Sequence, residues 1–250
     1  MLNTAWEKQC QELLQQVPLQ QKKPFNLVIP HSHCPNCKHT ISWRHNIPLL
    51  SFLLLRGKCA YCQNHINKQY PTIELSCALL SALLASHYGI TWQLFGALLF
   101  TWSLISLFVI DFKEQLLPDE ITLPLLWGGL VFNIFNIFTS LTNAVIGAIA
   151  GYLILWSITH CYKLLTQKQA MGHGDFKLLA AIGAWLGWQI LPLIVFIAAA
   201  LGIVCGLLWL FLKRKKFNTA IAFGPYLAVT AWFALFFNAY FLNWQIILLP

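Results

Sequence analysis

Eight residues of this chain are acidic, and only three of them are aspartates: Asp111, Asp119 and Asp175. All three lie where an apolar run meets a polar loop. Asp111 directly follows Leu107-Phe-Val-Ile110, and Asp175 stands in Met171-Gly-His-Gly-Asp-Phe-Lys177, just ahead of the next apolar run. An ionisable side chain at membrane depth is costly and is usually kept for function. Two carboxylates a few ångströms apart cannot easily both ionise. They share a proton, so near neutral pH one is a base and the other an acid. Such a pair can activate a water molecule and protonate a leaving amide nitrogen, which is the chemistry of an aspartic protease.

Each aspartate also has a plainer reading as a helix cap. Asp119 fits it well, because Pro118-Asp119-Glu120 opens a helix and puts acid at its positive end. Asp111 ends a helix, where the macrodipole disfavours an acid, so capping explains it poorly. Asp175 could cap the helix that follows. Its setting asks for more, since Gly172 and Gly174 flank His173. Glycines there free the backbone and let a substrate or a second helix approach closely. Glu74 begins an apolar run and Lys177 follows Asp175; snorkelling or interface placement accounts for both.

A second constellation lies nearer the N-terminus. Cys34-Pro-Asn-Cys37 and Cys59-Ala-Tyr-Cys62 are two CxxC pairs that offer four thiolates to a tetrahedral ion, the way structural zinc is held. Gly57, Pro35 and Asn36 suit the tight turns such knuckles need. With four cysteines present, Cys34, Cys37, Cys59 and Cys62 suffice as ligands, and His31, His33, His39, His45 and His65 read as surface or supporting residues. Four thiolates leave no open position for water, which makes the ion structural. The alternative is two unrelated pairs, one of them a redox disulfide. A reducing cytosol disfavours it, and no thioredoxin-like βαβ pattern surrounds either pair.

The elements that must position these groups are set by an apolar composition. Of 250 residues, 58% are hydrophobic and only 10% are charged, well below the charge of a soluble domain. The chain divides into a polar head, residues 1–70, and a membrane body, residues 71–250. Runs long enough to cross about 30 Å of hydrocarbon lie near 73–88, 92–110, 121–138, 141–165, 178–193, 194–212 and 222–242. The fold class is therefore an all-α polytopic membrane protein with about seven transmembrane helices and a small head. Gly183, Gly187 and Pro192 interrupt the fifth and sixth runs, so one of them is a candidate for a short or re-entrant helix.

Charge orients this body. The net charge is +8, but the basic residues are not gathered on one amphipathic element, which argues against a nucleic-acid partner. All sixteen Lys and Arg fall in the head or in 111–120, 162–177 and 213–216. With seven helices these segments share one side, and the positive-inside rule makes it cytoplasmic. The head is then cytosolic and the C-terminus lies outside. Residues 1–21 are too polar to span, and there is no signal-peptide pattern.

Several segments together resemble one family. Met171-Gly-His-Gly-Asp-Phe-Lys-Leu-Leu-Ala180 resembles the GxGD segment of type IV prepilin peptidases, and Ile110-Asp-Phe-Lys-Glu-Gln-Leu-Leu-Pro-Asp119 the segment of their first catalytic aspartate. Ala222-Phe-Gly-Pro-Tyr226 resembles their late Phe-Gly-Pro segment, and Pro30-His-Ser-His-Cys-Pro-Asn-Cys37 the cysteine head of proteobacterial members. The likeness runs in order over 25–226. It implies a bifunctional enzyme of the bacterial inner membrane, serving type IV pili and type II secretion. Such an enzyme cleaves the basic leader of prepilins and pseudopilins after a glycine. It then methylates the new N-terminal residue, usually Phe, with S-adenosylmethionine. By the same match, Asp111 and Asp175 are the catalytic pair and the four head cysteines the zinc ligands. Family members usually begin with a transmembrane helix carrying a Gly-Ser-Phe-Leu-Asn-type segment; this chain begins at a polar segment resembling the part just after it.

Other functions weigh less. A GxGD protease for other substrates does not explain the cysteine head. A proton-coupled transporter should carry its acids mid-helix with repeat symmetry, and a thiol oxidoreductase would work from the oxidising side. Membrane lipid is the implied surrounding partner.

Overall fold

The computed structural model describes residues 33–42, 49–167, 171–213 and 222–248. The described residues are helical, with two isolated β-bridges and no strand. The chain divides into two compact units, one ending at Leu79 and the other beginning at Leu80.

The first unit contains the same small turn twice. Cys34 and Cys59 each accept at their carbonyl from the N–H four residues on, Lys38 at 2.9 Å and Gln63 at 3.1 Å. Both donor residues sit in the left-handed region, at φ 58° and 56°. A bridge closes each turn at equivalent positions, His33 with Thr40 and Lys58 with His65. Between the turns lies the short helix α1, Leu50–Leu54. Glu74, read from sequence as an interface residue, has a structural partner: its Oε2 accepts from the Leu49 N–H at 2.9 Å. It stands on α2, Gln69–Tyr88, which continues into the second unit.

The second unit is a helical bundle. It holds α3 (Trp92–Glu114), α4 (Asp119–Ile134), α5 (Leu141–Thr166), α6 (His173–Leu186), α7 (Leu191–Lys213) and α8 (Gly224–Leu248). Thr91 and Ser140 open α3 and α5 with side-chain caps, and Gln115 and Gln167 close them in the left-handed conformation. Among the described residues, three helices are long and apolar enough to cross a bilayer: Trp92–Glu114, Leu141–Thr166 and Leu191–Leu208 of α7.

The fifth apolar run is the short helix that Gly187 made it a candidate for, with bounds that differ from the expected ones. Instead of spanning 178–193, α6 starts at His173 and stops at Leu186, because Gly187 turns the chain at φ 86°. Fourteen residues rise only about 21 Å. Every residue from Asp175 to Leu186 except Lys177 is buried, as expected of a helix that is apolar all round. Small residues let its neighbours close in. Gly147 of α5 meets the backbone of Gly183, Gly151 of α5 meets that of Leu179, and Gly129 of α4 lies under the Trp185 indole. The Trp185 Nε1–H donates to the Leu125 carbonyl at 2.7 Å. Asn133, from α4, caps the far end of α6. Its Nδ2 donates to the Ala184 and Trp185 carbonyls at 2.8 Å and 3.1 Å, and its Oδ1 accepts from the N–H groups of Phe138 and Thr139. Four backbone groups that would otherwise be orphaned are thus satisfied by one side chain.

Candidate active site and metal centre

Asp111 occupies the last turn of α3 and Asp175 the first turn of α6. Packing of these helices in one bundle brings the two carboxyls within electrostatic reach of each other. Both side chains are buried, with relative exposures of 5% and 8%, and both keep an oxygen with no hydrogen-bond partner, Oδ2 of Asp111 and Oδ1 of Asp175. An unsatisfied buried carboxylate oxygen is expensive, and two such acids within electrostatic reach of each other make a candidate site. Neither acid is a cap: the cap position of α6 is Gly172, and the carbonyl of Asp111, not its carboxylate, accepts the Gln115 N–H that closes α3.

The N-terminus of α8 supplies a third wall. The Gly224 backbone amide interacts with the Asp111 carboxylate, and a Cβ added at Gly224 would lie 2.5 Å from Asp111 Oδ2. Gly174 is needed for closeness as well. A Cβ there would lie 2.8 Å from Leu117 Cβ, whereas none of the positive-φ glycines falls in this segment. Of the two uses the sequence suggested for these glycines, the structure shows close approach, at Gly174, and no positive φ.

Asp119 is the first residue of α4, behind the cap residue Pro118, which makes no side-chain cap bond. Asp119 is therefore not the cap that the sequence suggested, because Pro118 holds that position, although acid in the first turn still suits the dipole. Its carboxylate also does something the sequence reading missed: it accepts twice from Lys177 Nζ, at 2.6 Å and 2.7 Å. Lys177 is thus paired with α4 and not simply snorkelling. The signal was available in the opposite charges standing close behind Asp111 and Asp175. Leu117 and Gly224 gave no such signal, because their roles arise only from three segments meeting.

In the first unit, the Sγ atoms of Cys34, Cys37, Cys59 and Cys62 all lie within 4.8 Å of one another. Zinc–sulfur bonds of about 2.3 Å in a tetrahedron place the sulfurs about 3.8 Å apart, and Cys34 Sγ and Cys62 Sγ are 3.9 Å apart. The donor set therefore fits a four-thiolate ion. Backbone N–H groups of Cys37 and Asn36 point at Cys34 and pull its pKa down to about 6. Those of Cys62 and Tyr61 lower that of Cys59. Both shifts favour the thiolate, the form that binds metal. His39 stacks on Tyr61 with ring centroids 3.5 Å apart and is not one of the cluster; His31 and His45 lie outside the described residues.

Comparison with known proteins assigns the chain to a family. Residues 98–207 match the type IV leader peptidase family, and residues 9–88 match the bacterial peptidase A24 N-terminal domain. A prepilin leader peptidase/N-methyltransferase of Stutzerimonas stutzeri is 48% identical over 235 residues, covering 94% of this chain and 81% of the relative. The chain belongs to the type IV leader peptidase family. Proteins of the same description from Pseudomonas aeruginosa and Aeromonas hydrophila are 48% and 50% identical, over 94% and 89% of this chain and 81% and 77% of their own lengths. No solved structure matches the chain. Asp111 and Asp175 both fall in the leader peptidase segment, and the four cysteines in the N-terminal domain.

Proposed function

We propose that this chain is a membrane aspartic endopeptidase that removes the basic leader of type IV prepilins and pseudopilins after a glycine, and then methylates the new N-terminus, usually a phenylalanine. The relatives at 48–50% identity carry both activities in their names. The observation that carries the peptidase half is the meeting of two buried, incompletely bonded carboxyls, Asp111 and Asp175, from opposite ends of two helices.

In this reading the two carboxyls share one proton. The ionised member takes a proton from water as the water oxygen attacks the scissile carbonyl carbon, and the protonated member gives its proton to the carbonyl oxygen. The carbon–nitrogen bond then breaks. The nitrogen receives the proton taken from water, and a hydroxyl of the intermediate returns a proton to the second carboxyl. The leader leaves as an acid, the pilin as a free amine, and the dyad is restored. S-adenosylmethionine, when bound, supplies the methyl group that the amine nitrogen takes as it gives up a proton. No residue of this chain is assigned to that donor.

The head, residues 1–70, holds zinc through Cys34, Cys37, Cys59 and Cys62. With all four positions filled by thiolates, the ion ties the two knuckles together and does not activate water. The body, residues 71–250, spans the bacterial inner membrane seven times, with the head and the basic loops on the cytosolic side and lipid around it. Incubating the membrane protein with a prepilin and S-adenosylmethionine and reading product mass tests the proposal. The expected product lacks the leader and is heavier by one methyl; an unchanged prepilin would refute the reading.

A further inference from the structure

The short helix α1, between the two cysteine turns, carries its leucines outward. Leu50, Leu53 and Leu54 stand at spacing i, i+3 and i+4 and so share one face, and all three are exposed, Leu54 to 79%. Phe52 turns the other way. Its ring lies 3.0 Å from the place a Cβ on Gly57 would occupy, and its carbonyl accepts from the Gly57 N–H at 2.8 Å. Ser51, the one polar residue of the helix, is partly buried. A face of three leucines turned away from its own fold marks a surface that something apolar covers.

Position and charge both say what covers it. The Leu49 N–H, at the start of α1, donates to Glu74 Oε2 at 2.9 Å. This bond pins α1 to the early turns of α2, where the apolar run 73–88 begins. In the seven-span reading the chain enters the cytosolic leaflet there, so α1 lies level with the lipid headgroups. The charge around it has one sign. Between Glu12 and Glu74 the sequence has seven Lys or Arg and no acid. Arg56 and Lys58 follow α1 directly, Lys68 stands just ahead of α2, and all three are exposed. Such a surface complements the acidic headgroups of a cytosolic leaflet and repels a basic peptide.

We propose that α1 is a membrane-surface anchor. Leu50, Leu53 and Leu54 enter the acyl boundary of the cytosolic leaflet, while Arg56, Lys58 and Lys68 hold acidic phospholipid headgroups. The proposal rests on the membrane reading above, in which α2 enters the bilayer from the cytosolic side. An apolar face of this kind sinks about 5–10 Å into the boundary between headgroups and chains. Each Lys or Arg near an acidic surface favours the seated state by about fivefold. The head is thereby held to the membrane at two points, α1 and the start of α2, and not by α2 alone.

The test is photocrosslinking of the full chain in vesicles. Benzoylphenylalanine is placed at Leu53, or separately at Leu83, which is exposed on α2. One set of vesicles mixes phosphatidylglycerol with phosphatidylcholine, the other is phosphatidylcholine alone, and adducts are identified by mass. Both positions should give phospholipid adducts in the mixed vesicles. The Leu53 adduct should fall several-fold in phosphatidylcholine alone and in the variant Arg56→Gln/Lys58→Gln, with a ceiling of about 25-fold from two charges; the Leu83 adduct should not change. Leu54 is the second site for the probe if a probe at Leu53 disturbs α1. A Leu53 probe that links to another part of this chain, to a second copy or to nothing, while the Leu83 probe links to lipid, would overturn the proposal. So would a Leu53 lipid adduct indifferent both to phosphatidylglycerol and to loss of the two charges. No lipid adduct at Leu83 would instead overturn the membrane reading of α2 on which it rests.

Discussion

Gly224→Ala is the most direct probe of the dyad, because its effect on stability and its effect on chemistry should separate. The new methyl would lie 2.5 Å from Asp111 Oδ2 and 3.1 Å from its Cγ, where real side chains essentially never come within 3.0 Å. Something must therefore move by about 0.5 Å or more. The group best able to move is the Asp111 carboxylate, which can turn about its own side-chain bonds. A side chain forced some 30° from its preferred rotamer costs about 0.5–1.5 kcal/mol, so the fold should lose about 1 kcal/mol. Catalytic groups need to be held within about 0.5 Å, and a misplacement near 1 Å can cost about 100-fold in rate. Prepilin cleavage should fall about 10- to 100-fold, in kcat more than in KM, because the carboxylate acts on the reacting atoms. The assay is cleavage at equal membrane abundance, with thermal unfolding measured in parallel. Gly202→Ala is the control, since its methyl would meet only the Tyr226 ring, at an ordinary 3.5 Å. Wild-type cleavage by Gly224→Ala, with cleavage lost in Asp111→Asn, would refute the close approach of α8 to the carboxylate.

Asp111→Asn and Asp175→Asn should each lose at least about 10²–10⁴-fold in cleavage, the usual worth of an acid–base partner; normal cleavage by both would sink the aspartic mechanism. Asp119→Asn should stay largely active, because its partner Lys177 is 32% exposed and Asp119 itself 51%, and exposed ion pairs contribute only about 0–1 kcal/mol. An inactive Asp119→Asn protein of normal abundance would move Asp119 into the chemistry. Cys34→Ser or Cys59→Ser should lower bound zinc and protein level together, measured by metal analysis and immunoblotting, and a metal-free but fully stable variant would contradict the structural ion. A topology reporter fused after Lys216 should read as cytoplasmic and one after Pro250 as periplasmic; reversed readings would put the dyad at the wrong face.

Charge made much of the site legible. Asp111 and Asp175 stand out in sequence because acids are rare in so apolar a chain, and each interrupts a run at its end. The cysteine quartet is equally plain, since CxxC spacing is itself the geometry of a knuckle. The duplicated turn around it was not visible, because the matching positions, Lys38 and Gln63, are alike in backbone angle and not in side chain. The shortness of α6 was legible in Gly187, but its bounds were set at 178–193 because apolarity continues past that glycine. Asn133 was passed over although an amide inside an apolar run is a clue; its four partners come from segments five to fifty-two residues away. Leu117 is one leucine among many, and only the folded chain shows it packed against Gly174 and Gly224.

The shortness and complete burial of α6 bear on the order in which this protein comes into being. A 14-residue helix is too short to rest alone across the lipid, and it reaches its place only when Gly147, Gly151 and Gly129 of its neighbours are there to receive its backbone and its Trp185. Its docking thus needs α4 and α5 already in place. Asp175 rides on this helix. The proposed pair of Asp111 and Asp175 is therefore complete only once α6 has docked against its neighbours.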